Sequence, residues 1–74
     1  MDQNKATIIT IGDELLIGQV IDTNSAFIAQ SLNAIGVVVT SRIAVGDDQQ
    51  AISNALDHAI EKNNIIILTG GLGP

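Results

Sequence analysis

Asn63-Asn64-Ile65-Ile66-Ile67-Leu68-Thr69-Gly70-Gly71-Leu72-Gly73-Pro74 is the stretch on which the fold turns. Ile65 to Leu68 is uninterrupted aliphatic, too short between its neighbours for a helix, and reads as a strand buried on both faces. Strands of that kind belong to parallel sheets covered by helices. Upstream, Ile52, Ala55, Leu56, Ala59 and Ile60 recur at helical spacing, which predicts an amphipathic helix closed by Asn63-Asn64. Gly46-Asp47-Asp48 turns the chain into it, and Asp47 with Gln50 three residues on forms a candidate capping box.

Further back, Val37 to Val45 reads as a second strand, and Thr40, Ser41 and Arg42 mark it as a sheet edge. The helix before it is capped by Asp22 or Thr23, carries Ile28, Ala29, Leu32 and Ile35 at helical spacing, and stops at Gly36. Ala6 to Ile11 is β-branched almost throughout and ends at Gly12, the pattern of a first strand followed by a loop through Gly18. With right-handed crossovers this β-α-β-α-β order predicts an α/β fold: a three-layer α/β/α, doubly wound parallel sheet of strand order 2-1-3. The third strand then stands at an edge without any polar residue from Ile65 to Leu68, so a further strand or another chain is expected beside it and the domain reads as incomplete.

Composition fits this architecture. Apolar residues make up 46 % of the 74, yet Phe27 is the only aromatic, so the core must be built from Ile, Val, Leu and Ala. There is no cysteine and a single histidine, His58, which argues against zinc and against a nucleophilic triad. The net charge is −5, and Lys5, Arg42 and Lys62 are scattered, which leaves no footprint for nucleic acid. No apolar run approaches the roughly 20 residues of a membrane span and no secretory leader precedes the first strand, so a cytoplasmic protein is the expectation.

In open parallel sheets, ligands bind beyond the carboxyl ends of the strands where the winding reverses, here between strands one and three. Three loops meet at that rim: Gly12-Asp13-Glu14-Leu15-Leu16, Gly46-Asp47-Asp48, and Thr69 to Pro74. Gly70, Gly71 and Gly73 lack β-carbons, so amides around them can approach an anion, although glycines also punctuate ordinary turns. Asp13 and Glu14 could offer oxygen ligands to Mg²⁺ beside a substrate phosphate, or simply be solvated. Asp47, Asp48 and Asp22-Thr23-Asn24-Ser25 lean towards helix capping. His58 receives no role.

The motifs Gly12-Asp13-Glu14-Leu15-Leu16, Gly18 to Ser25, Val45-Gly46-Asp47-Asp48 and Leu68 to Pro74, in that order, resemble the N-terminal domain of the CinA (competence/damage-inducible protein A) family. That domain belongs to the molybdopterin-binding superfamily with MogA, MoaB and MoeA. The resemblance implies that residues 1–74 are the N-terminal portion of a single, longer α/β/α domain, usually homo-oligomeric, often in a protein with a C-terminal nicotinamide-nucleotide amidase domain. It implies metal-dependent hydrolysis of a nucleotide pyrophosphate such as ADP-ribose. The alternative is a non-catalytic molybdopterin- or nucleotide-binding module, or a part in molybdenum-cofactor biosynthesis. Carried over residue by residue, Glu14 and Asp47 become the candidate catalytic residues, with Mg²⁺ on Asp13, Glu14 and Asp47. Gly12, Thr69, Gly70, Gly71 and Gly73 become the candidate ligand-binding residues.

Overall fold

A computed structural model describes residues 3–70. The order is β1 (Lys5–Ile11), α1 (Asp13–Leu16), α2 (Thr23–Ala34), β2 (Val38–Val45), α3 (Gln49–Lys62) and β3 (Ile65–Gly70). All pairings are parallel and the sheet order is β2-β1-β3, the order expected for a doubly wound sheet. The central position of β1 explains its burial: Ala6, Thr7, Ile8, Ile9 and Thr10 are all buried.

Alternation along β1 assigns its two faces. Thr10 bonds to Asp22 at the start of α2, whereas Thr7 meets Thr40, which in turn reaches Asn63 at the end of α3. The helices therefore cover opposite faces of the sheet, giving the three layers. Among the described residues no helix is long and apolar enough to cross a membrane.

Several boundaries differ from the sequence expectation. The segment after Gly12, expected as a loop, winds into the one-turn helix α1. The cap of α3 is Asp48 rather than Asp47: its carboxylate accepts the Ala51 amide at 2.9 Å, while the Gln50 side chain donates to Asn54 instead of closing a box. β3 continues two residues beyond Leu68, and its burial on both faces is not reached among the described residues. Ile65, Ile66 and Ile67 are half-buried and Leu68 is 48 % exposed. The helix stripes also end outward, with Ile35 and Ile60 both exposed, and Phe27 stands 70 % exposed on α2.

β2 contains an irregularity that periodicity does not reveal. Ala6 pairs with Val39 but Thr7 pairs with Ser41, so Thr40 is an extra residue in the strand. Its hydroxyl lies 2.6 Å from Asn63 Oδ1 and 3.2 Å from the Ala6 carbonyl and from the Thr7 hydroxyl. Asn63 Nδ2 donates to the Ala59 carbonyl, which fixes Oδ1 as the acceptor towards Thr40. The bulge is thereby joined to the end of α3. Thr40→Val keeps the shape but removes the donor, and should lower stability by about 1 kcal/mol, read as a shifted denaturant midpoint. An unchanged midpoint would show that the hydroxyl contributes nothing.

Candidate functional site

The carboxyl ends of β1 and β3 open onto a cleft of about 350 Å³, lined by Thr10, Glu14, Asp22, Thr23, Asn24, Thr69 and Gly70 together with apolar Leu15, Val20 and Ile21. This is the winding-reversal point of the sheet. Three of the expected site residues, Glu14, Thr69 and Gly70, are brought together there.

Asp22 is the organising residue of the cleft. It caps α2 by accepting the Ser25 amide at 3.0 Å, and it also accepts the Ser25 hydroxyl at 2.6 Å and the Thr10 hydroxyl at 2.7 Å. Arg42 on β2 donates to Ser25 Oγ at 3.4 Å from behind. Burial pushes the Asp22 carboxyl up. The hydroxyl and amide of Ser25, the Thr10 hydroxyl and the Arg42 charge outweigh that and hold its pKa below the usual carboxylate value. Of the two caps the sequence offers, Asp22 and Thr23, the structure uses Asp22, and the bond of that residue to Thr10, twelve residues upstream, has no local signal in the sequence.

The neighbouring acids Asp13 and Glu14 diverge. Glu14 lines the cleft on the β3 side. Asp13 turns towards β2, where its Oδ1 accepts the Asp47 amide at 3.0 Å. Gly46, which is buried, makes room for this: a β-carbon there would stand 2.7 Å from the same oxygen. A bond from the Gly12 amide to the Val45 carbonyl at 2.9 Å carries the β1–β2 ladder to the rim. A β-carbon on Gly12 would stand 2.7 Å from Glu14 Oε1, so the Glu14 side chain folds back over this glycine and would have to shift for any larger residue.

Asp13 and Asp47 thus share one side of the rim and are not among the described residues lining the cleft. Among the described residues no group of three or more His, Asp or Glu side chains is placed to hold a metal ion by itself. Gly70 ends β3 with open space where a β-carbon would stand, and it has no positive φ. Gly71 and Gly73 lie outside the described residues.

Two of the three Lys/Arg residues lie elsewhere. A second hollow, of about 710 Å³, opens near the C-terminus of α3 and has Lys5 and Lys62, together with Glu61 and His58, in its lining. The described lining of the rim cleft contains two carboxylates and no cation.

Comparison with known proteins agrees with this architecture. Residues 7–74 match the family described as "Probable molybdopterin binding domain". The chain is 54 % identical over 70 residues to a CinA-like protein of Flavobacterium psychrophilum and 50 % identical over 70 residues to one of Salinibacter ruber. Each alignment covers 95 % of this chain and 17 % of the relative, so the chain spans about a sixth of their length. The crystal structure of CinA from Thermoplasma acidophilum superposes with a TM-score of 0.89 at 38 % identity, covering 97 % of this chain and 43 % of that one. The strand order, the motif order and these matches agree: the chain belongs to the probable molybdopterin binding domain family, in the form found in CinA-like proteins.

Proposed function

We propose that this domain binds a phosphate-bearing pterin or nucleotide in the rim cleft, and that in the protein it serves hydrolysis of a nucleotide pyrophosphate of the ADP-ribose type. The observation that carries the reading is the convergence of Glu14, Asp22, Asn24, Thr69 and Gly70 on one cleft at the carboxyl ends of β1 and β3. Hydroxyl, amide and carboxylate groups there match the hydroxyls of a ribose and the N–H groups of a heterocycle.

Charge decides what must accompany the ligand. With two carboxylates and no cation in the described lining, the cleft repels a bare pyrophosphate. The donor set fits Mg²⁺ shared with a substrate phosphate, which needs only one or two protein carboxylates, and does not fit a cage built by the protein alone. When bound, the metal supplies charge neutralisation at the phosphates and Lewis-acid activation of water. Glu14, which lines the cleft, is the residue we assign to face the ligand and take up a proton. Asp22 holds the wall of the cleft through Thr10 and Ser25, and Asp47 offers a further carboxylate across the rim.

The family description favours a second reading, pterin binding without turnover. Calorimetry of the protein against ADP-ribose and against molybdopterin, each with and without Mg²⁺, followed by an assay for AMP release, separates the two. The leading reading expects ADP-ribose binding that requires Mg²⁺, followed by release of AMP. Tight pterin binding without cleavage would replace it with the second reading.

A further inference from the structure

We infer that Asp13 is a positioning residue: by accepting the Asp47 amide it holds the Gly46-Asp47-Asp48 loop at the rim, and it does so as a hydrogen-bond acceptor rather than as a metal ligand. Three observations converge on the same oxygen and the same loop. Asp13 Oδ1 lies 3.0 Å from the Asp47 amide. Gly46 leaves the space that this oxygen occupies, since a β-carbon would come within 2.7 Å of it. The Gly12 amide to Val45 carbonyl bond, at 2.9 Å, fixes the strand ends from which both loops depart. Beyond the clamp, the Asp48 amide bonds back to the Gly46 carbonyl at 2.8 Å and the Asp48 carboxylate caps α3, so the position of Asp47 is constrained from both sides.

The consequence for a ligand rests on the function proposed above. The loop ends of β2 and β3 flank β1, so two strand spacings, roughly 10 Å, separate them. A ligand with a pyrophosphate and two end groups can span that distance, with one end in the cleft and the other near Asp47. Without the clamp, Asp47 loses its fixed place at the far end. An asparagine at position 13 retains an oxygen acceptor and so retains the clamp, whereas a metal ligand would need the charge.

The test uses Asp13→Asn, Asp13→Ala and Gly46→Ala in the protein, with two readouts: hydrogen exchange of the Asp47 amide by NMR, and affinity for ADP-ribose in the presence of Mg²⁺. Asp13→Ala and Gly46→Ala should speed Asp47 exchange about tenfold and weaken affinity about tenfold, as loss of one charge-assisted hydrogen bond allows. Asp13→Asn should stay within about threefold of the unsubstituted protein in both. Asp47 exchange unchanged in Asp13→Ala would overturn the clamp. So would an Asp13→Asn protein that keeps Asp47 protected yet loses affinity as fully as Asp13→Ala, because the charge would then be the requirement. If the unsubstituted protein does not bind ADP-ribose, the proposed function fails, while the exchange readout still decides the clamp.

Discussion

Replacing Asp22 by alanine is expected to lower the stability of the fold by about 2–4 kcal/mol, a large part of what a small domain possesses. The loss has two sources. Removing the cap of α2 costs about 1 kcal/mol, and Thr10 and Ser25, both almost fully buried, lose the acceptor for their hydroxyls, each at about 1–3 kcal/mol. The contributions share one residue and do not simply add. Asp22→Asn keeps the oxygen that accepts the Ser25 amide but replaces the one that accepts both hydroxyls with an NH2 donor, so it should preserve the cap and cost less than alanine.

The same carboxylate sets an acid limit. Its folded pKa is lowered, so the stabilisation is complete above the unfolded value of about 3.9 and is lost as pH falls through the folded pKa. Denaturant midpoints measured against pH should therefore decline in that window for the unsubstituted protein, and the part due to this group should be missing in Asp22→Asn. An identical acid profile in the two proteins would mean that Asp22 carries no differential charge interaction.

The second large effect concerns Glu14. On the function proposed above, Glu14→Gln should reduce hydrolysis of ADP-ribose by about 100-fold or more, the usual scale for removing a group that transfers a proton. Its stability should be nearly unchanged, because none of the side-chain hydrogen bonds seen among the described residues at the rim involves the Glu14 carboxylate. Steady-state rates and a thermal melt on the same preparation check both halves. Full activity in the variant would remove Glu14 from the chemistry, and a collapsed melt would make its role structural.

Strand order, the edge position of β2, Asp22 as a cap and Gly36 as a stop were legible because each depends on local chemistry or on a general crossover rule. Gly36 does adopt a φ of +88° just past the end of α2. What escaped depends on contacts between distant segments. Asp47 and Asp48 are equivalent as caps in the sequence; Asp48 takes the position while the Asp47 amide is held by Asp13, 34 residues away.

The divergence of Asp13 and Glu14 has the same origin. Read as a loop, adjacent acids suggest one shared site. Wound into α1, consecutive side chains point about 100° apart, so one meets β2 and the other the cleft. Thr40 is likewise invisible as a bulge until Ala6 and Thr7 are seen to skip it. The aliphatic run of β3 announced a strand, and among the described residues it pairs on one side, with β1.

On the function proposed above, the phosphate-bearing ligand enters the rim cleft and not the hollow at the C-terminal end of α3. Charge alone favours the hollow, where Lys5 and Lys62 outnumber Glu61, over the cleft, where Glu14 and Asp22 face no cation in the described lining. The most direct measurement is a backbone amide NMR titration of the protein with ADP-ribose, with and without Mg²⁺. The cleft reading predicts Mg²⁺-dependent shifts centred on Thr10, Glu14, Asp22, Asn24 and Thr69, with Lys5, His58 and Lys62 unmoved. Shifts centred on Lys5, His58 and Lys62 that need no Mg²⁺ would contradict it.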